Sequence, residues 1–292
     1  MKTIEIPTSK PVSSEGSPRT AAKTIMRWYG YPALASLIIC QYLMFQKVEP
    51  VYTFFTPIQW WGYIFLADAI VYGRQRKSLI TDRPVEFLVM LVLSNLCWLL
   101  FEGYNFLLKN WYYVGLSPEF WKRFVGYSTS FASIFPGIFI TADLLESFGL
   151  FRTKHPKPRK LSQLFLAGSF AAGLACSVFP LILPSPYVFG LVWIGYFFLL
   201  EPVNYWMGNS SIYRDIEGGS WRRFWLLLAS GAVCGLLWEF WNYWAHAKWI
   251  YTVPFTRNIK YFEMPLFGFL GFPPFALECF AMYHFTRRLL GR

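Results

Sequence analysis

CWLLFEGYN (Cys97–Asn105) returns 137 residues later as CGLLWEFWN (Cys234–Asn242), the two matching as C-x-L-L-[FW]-E-x-[YW]-N. Each copy buries one glutamate in a run of leucines and aromatics. A second pair lies nearby: WWGYIFLADAIVY (Trp60–Tyr72) and WIGYFFLLEPVNY (Trp193–Tyr205) share W-x-G-Y-x-F-L-x-[DE]-x-[IV]-x-Y. Phe135-Pro136 falls on Phe272-Pro273 at the 137 offset, and Cys40 falls on Cys176 at 136. The chain therefore reads as a duplication.

The surroundings of these motifs set the fold class. Of 292 residues, 55% are hydrophobic, 21% aromatic and only 15% charged, where a soluble domain carries about 25% charged residues. Eight apolar blocks, approximately 28–45, 52–73, 86–107, 124–148, 162–183, 187–207, 223–245 and 264–286, are each near the ~20 residues that cross a hydrocarbon core. The expected fold is all-α, a polytopic bundle of eight transmembrane helices arranged as two parallel four-helix repeats. Residues 1–24 read as a flexible cytoplasmic tail, 25–150 as the first repeat, 151–161 as a basic cytoplasmic linker and 162–292 as the second repeat.

Charge placement tests that count. Alternating the eight blocks puts 20 Lys and Arg on the side of the tail and 7 on the other, which by the positive-inside bias places both termini in the cytoplasm. The expected location is an integral membrane protein of a bacterial inner (plasma) membrane, with the bilayer as its first partner. The same bias accounts for the net charge of +11, so nucleic acid is not expected. Five cysteines stand singly, without CxxC or Cys/His clusters, and no P-loop, Rossmann, HExxH or GxSxG pattern occurs. No metal and no cofactor is expected; oligomeric state is not encoded in these patterns.

Ionised groups inside a span cost roughly 2.5–3.5 kcal/mol each on insertion scales, so acids there need a partner or a role. Glu102 lies about 24 Å along its helix from Glu86, with Asn105 one turn beyond on the same face; Glu239 and Asn242 repeat the arrangement. Asp68 and Glu201 sit about one and a half turns from the cytoplasmic ends. Two acid layers result. A carboxylic acid in an apolar pocket keeps its proton and can deliver it to a substrate, which makes Glu239, Glu278, Asn242, Glu102 and Asn105 the candidate catalytic residues. Trp238, Trp241, Trp244, Trp249 and Tyr251, with Lys248, Glu263, Asp68 and Glu201, are the candidate substrate-binding residues, since ring faces stabilise a developing cation. Lys248-Trp249-Ile250-Tyr251 echoes Asn110-Trp111-Tyr112-Tyr113, but the stretch that follows, with Glu263 and Glu278, belongs to the second half alone.

Trp238-Glu239-x-x-Asn242, then Trp249-x-Tyr251, a loop and the proline-led PPFALECF (Pro273–Phe280), resemble the integral-membrane lycopene cyclase domain family over Leu236–Phe280. That family is also built of duplicated helical repeats and forms rings on linear carotenoids by acid-initiated carbocation chemistry. It carries paired glutamates where only Glu278 stands here, and its repeats have three helices. The resemblance implies a carotenoid cyclase-like isomerase or lyase. Three readings stay open: a membrane enzyme using carboxylic-acid proton chemistry on an apolar lipid or isoprenoid, carotenoid-like substrate; a proton- or cation-coupled transporter or channel; and a structural subunit of a membrane complex, its acids tying helices together.

Overall fold

Hydrocarbon offers no partner for backbone N–H and C=O groups, so a chain this apolar closes its hydrogen bonds within helices. The computed structural model describes residues 26–152, 157–254, 256 and 258–291. The tail 1–24, linker positions 153–156, Arg257 and Arg292 lie outside the described residues.

The first half runs α1 (Gly30–Phe45), α2 (Val51–Gln75), α3 (Leu79–Asp82), α4 (Pro84–Leu108), β1 (Trp111–Val114), α5 (Phe120–Ala132) and α6 (Ile134–Ser147). The second runs α7 (Gln163–Ile182), α8 (Phe189–Trp206), α9 (Ile212–Glu217), α10 (Arg222–Trp244), β2 (Lys248–Tyr251), β3 (Lys260–Tyr261), β4 (Met264–Pro265) and α11 (Phe272–Leu289). A 3-10 turn, Leu266–Gly271, leads into α11.

Six helical stretches among the described residues are long and apolar enough to cross a membrane: Pro84–Leu108, Phe120–Ser147, Gln163–Ile182, Pro186–Trp206, Arg222–Trp244 and Leu266–Leu289. Of the other two apolar blocks, α1 has only 16 residues. The 25-residue α2 is diluted by Thr53, Thr56, Gln59 and Asp68.

The burial pattern is that of a protein solvated by lipid. On α4, Val85, Leu88, Val92, Leu96 and Leu99 are exposed, while Ser94 and Asn105 are buried on the opposite face beside Met90, Cys97 and Phe101. The spacing of three and four residues gives α4 one outward apolar stripe. Asp68, Glu201, Glu239 and Glu278 are all 0–1% exposed. Polar groups are inside and leucines outside.

Two breaks in the helices shape the site. Pro136 lacks the N–H that would continue the chain of helical bonds, and the helix is interrupted between α5 and α6; Ser94 Oγ takes up the Phe135 N–H at 3.1 Å. The repeated Phe272-Pro273 starts α11 in the same way. Helices α10 and α6 pack together, as do α4 and α11, so the two halves interlock through the helices that carry the C-x-L-L motif.

The antiparallel pair β1–β2, which the all-α expectation did not contain, joins the halves. Trp111 pairs with Tyr251, Tyr112 with Ile250, Tyr113 with Trp249 and Val114 with Lys248, and Thr252 N–H donates to Asn110 O at 2.8 Å. These four-residue runs are too short to show a strand period. The second ladder, β3–β4, is only two residues long.

Candidate functional site

Both copies of the E-x-x-N motif end at the β1–β2 pair. After α4 the chain reverses at Lys109, which takes a left-handed conformation (φ 55°). Asn105 then holds the returning strand: its amide donates to Trp111 O at 2.9 Å and its oxygen accepts from Trp111 N–H at 3.0 Å. Asn242 makes the same two bonds to Trp249, both 2.9 Å. Among the described residues neither asparagine side chain bonds a glutamate. Each pins a strand.

The strands in turn present tyrosines to the acids. Tyr113 donates its hydroxyl to Glu102 Oε1 at 2.5 Å, and the indoles of Trp98 and Trp111 donate to the same oxygen at 3.0 and 3.3 Å. Tyr251 donates to Glu239 Oε1 at 2.9 Å, while Glu239 Oε2 is buried without a hydrogen-bond partner among the described residues. Burial first, and the adjacent carboxylate second, hold both phenols well above the ordinary phenol range. They remain donors at any ordinary pH.

A cavity of about 130 Å³ opens on these tyrosines. Trp60, Trp98, Trp111, Trp193, Trp238 and Trp249 line it, with Tyr113, Tyr127, Tyr251, Phe272 and Phe275. Glu102 and Glu239 stand behind the wall, reached through Tyr113 and Tyr251. Lys122, Arg123 and Lys248 also line it. A second cavity, about 320 Å³, shares Trp111, Trp193, Tyr251 and Phe272 with the first. At an offset of 133, Thr53, Phe54, Thr56, Pro57 and Trp60 of the first wall correspond to Pro186, Tyr187, Phe189, Gly190 and Trp193 of the second.

The remaining candidates lie elsewhere. Asp68 accepts from Ser78 Oγ (2.6 Å), Leu79 N–H (2.8 Å) and Tyr29 Oη, and Glu201 accepts from Ser211 Oγ (2.7 Å) and Tyr213 N–H (3.3 Å). These two acids therefore anchor the N-termini of α3 and α9, where a carboxylate suits the exposed amides. Glu278 accepts from Tyr196 N–H at 2.8 Å, tying α11 to α8. None of the three lines either cavity, and among the described residues no hydrogen bond joins an outer acid to an inner one. Glu263 forms an ion pair with Lys248 at 2.6 Å. Trp238 is in the wall; Trp241 packs on Trp60 at 5.1 Å behind it, and Trp244 packs on Phe45 at 5.3 Å, 40% exposed.

Sequence reasoning missed Tyr113, Thr56 and the first-half tryptophans Trp60, Trp98 and Trp111. The W-x-G-Y repeat was the available signal for Trp60 and Trp193, and the Trp111/Trp249 echo for the strands. The chain matches no protein-family model, no curated protein sequence and no solved structure.

Proposed function

We propose that the chain is an integral membrane enzyme that acts on an apolar lipid or isoprenoid substrate by carboxylic-acid proton chemistry, centred on the Glu239–Tyr251 pair. The observation that carries this reading is the convergence of two Glu–Tyr pairs on one aromatic cavity. In the resting arrangement Tyr251 donates to Glu239 Oε1. For delivery the bond reverses, protonated Glu239 donating to the Tyr251 oxygen while the Tyr251 hydroxyl turns to the substrate and gives up its proton. This leaves Glu239 ionised, so a buried acid serves a cavity it does not enter. Ring faces of Trp98, Trp238 and Phe275 surround the charge that forms, each such contact contributing about 0.5–2 kcal/mol. Glu102–Tyr113, on the same face of the β1–β2 ladder, accepts a proton when one is lost. The resemblance of Leu236–Phe280 to the lycopene cyclase domain supports a carotenoid-like substrate and a cyclase-like isomerase or lyase reaction.

In this reading the chain crosses a bacterial inner membrane eight times as two parallel repeats, related by an axis along the membrane normal, with both termini cytoplasmic. The exchange symmetry of the β1–β2 ladder supports that arrangement: residues 110–114 face 248–252, and an offset of 138 carries one segment onto the other. A structural role is favoured for Asp68 and Glu201, which hold helix ends, and for Glu278, which ties α11 to α8.

Lipid extracts of cells with and without the gene identify the substrate, and Glu239→Gln then tests the acid. Glutamine keeps the oxygen that Tyr251 bonds but holds no transferable proton. Turnover is expected to fall about 10²–10⁴-fold with the fold intact. Full activity of purified E239Q on that substrate overturns the reading.

A further inference from the structure

Thr56 and Trp60 stand one turn apart on α2, 7% and 1% exposed, and both line the first cavity. The Thr56 hydroxyl and the Trp60 indole N–H are each enclosed without a hydrogen-bond partner among the described residues. A helical threonine ordinarily returns its hydroxyl to the carbonyl one turn back, as Thr129, Thr141 and Thr286 do here at 2.6, 2.6 and 2.7 Å. Thr56 does not. Buried indole N–H groups likewise find a partner as a rule, as Trp61 does at Thr129 O.

The pair is absent from the second cavity. Phe189 stands where Thr56 does, so the larger cavity keeps the tryptophan and lacks the hydroxyl. Among the described residues the unpaired group of the second wall is an acceptor, Asn110 Oδ1, whereas the first wall offers two neighbouring unpaired donors, and such a donor pair points to a ligand group that accepts.

We infer that the first cavity takes an apolar ligand bearing a neutral oxygen, a hydroxyl, carbonyl or ether, which accepts hydrogen bonds from Trp60 Nε1 and Thr56 Oγ. The inference rests on that cavity being the substrate site, and it narrows the substrate from any lipid to an oxygenated one. A neutral oxygen suits two neutral donors, and two of the three cations of the wall are paired with carboxylates; Arg123 keeps its charge, which is why a carboxylate is among the probes. Lys248 is paired with Glu263, Lys122 with Glu119, and Arg123 with the carbonyls of Ser117 and Pro118 at 2.9 and 2.7 Å.

The probes are 12-bromo-1-dodecanol, 1-bromododecane and 12-bromododecanoate, titrated into the full chain in lipid nanodiscs, with bromine quenching of the cavity tryptophans as the signal. Thr56→Val keeps the shape of the side chain and removes the hydroxyl. The variant is expected to bind the alcohol about fivefold to tenfold more weakly while its affinity for the bromoalkane stays level or rises; Trp60→Phe is expected to do the same where its melting curve matches wild type. Comparing variant with wild type for each probe cancels the probe's partition into the bilayer. Equal changes for alcohol and alkane overturn the inference, and so does a carboxylate that binds more tightly than the alcohol. Binding is read without turnover, so an active E239Q protein would sink the enzymatic reading while leaving this result to stand or fall separately.

Discussion

Tyr251 and Glu239 are twelve residues apart, and Tyr113 and Glu102 eleven. On a continuous helix a spacing of twelve falls well round from the starting face, and a spacing of eleven returns to nearly the same face but three turns, about 16 Å, away; neither would bring the two side chains together. The acids and the asparagines were legible because i and i+3 share a face on any helix. The tyrosines were not, because only a reversal after the helix and a strand pinned by asparagine bring them back. Tyr251→Phe separates positioning from proton delivery. Removing one hydrogen bond from a buried carboxyl group costs about 1–3 kcal/mol, so a modest fall in melting temperature is expected. Turnover is expected to fall at least about a hundredfold if the phenol passes the proton. A loss of activity no larger than the loss of folded protein would reduce Tyr251 to a structural partner. Because both phenols are held well above their ordinary range, deprotonation of either should leave no mark on the wild-type rate profile at moderately alkaline pH.

Helix α11 approaches α10 over two glycines spaced by four. A Cβ on Gly231 would lie 2.4 Å from Phe272 O and 2.9 Å from Pro273 Cα, both backbone atoms; one on Gly235 would lie 2.3 Å from the Phe272 ring. At the 137 offset these positions are Ser94 and Trp98. Trp98 enters the cavity wall, and in the second half Phe272 fills the corresponding space. Gly231→Ala has to move backbone and is expected to destabilise by roughly 1–3 kcal/mol. Gly103→Ala, with nothing within 4 Å of its Cβ on exposed α4, is expected to be neutral or to gain up to about 1 kcal/mol from helix propensity. Thermal unfolding of the two variants in one detergent checks the contrast, and equal melting points would remove the close approach as an element of stability. Element by element, long apolar runs announce helices because lipid demands them, and the repeated Phe-Pro marks the two breaks. The four-residue strands carry no comparable signature, since their pairing depends on a partner 138 residues away.

At the scale of the molecule, the two acid layers stand apart. The proposed eight-crossing topology puts the β1–β2 end outside and α3 and α9 inside, which cysteine labelling tests: with a membrane-impermeant maleimide, Asn258→Cys is expected to react in intact cells and Lys77→Cys only after permeabilisation. Labelling of both from one side would reject the eight-crossing topology. The helical membrane bundle was legible because charge and length act on whole segments; the division of labour between the layers was not, because Asp68 and Glu239 look alike as acids in apolar runs. Their partners distinguish them. Asp68 is held by the Ser78 hydroxyl and the Leu79 amide at the start of α3 and by the Tyr29 hydroxyl just before α1. Glu239, like Glu201 and Glu278, leaves one oxygen unpaired among the described residues, but of these three it is the one bonded to a tyrosine hydroxyl whose ring lines a cavity. Asp68→Ala is therefore expected to cost about 2–4 kcal/mol of stability, from several lost hydrogen bonds to a buried carboxyl group, while turnover per folded molecule stays near wild type. E239Q is expected to show the reverse. A proton path running the length of the bundle would make both substitutions abolish flux equally, and measuring turnover and melting temperature on the same two variants decides between a buried reaction centre and a conduit.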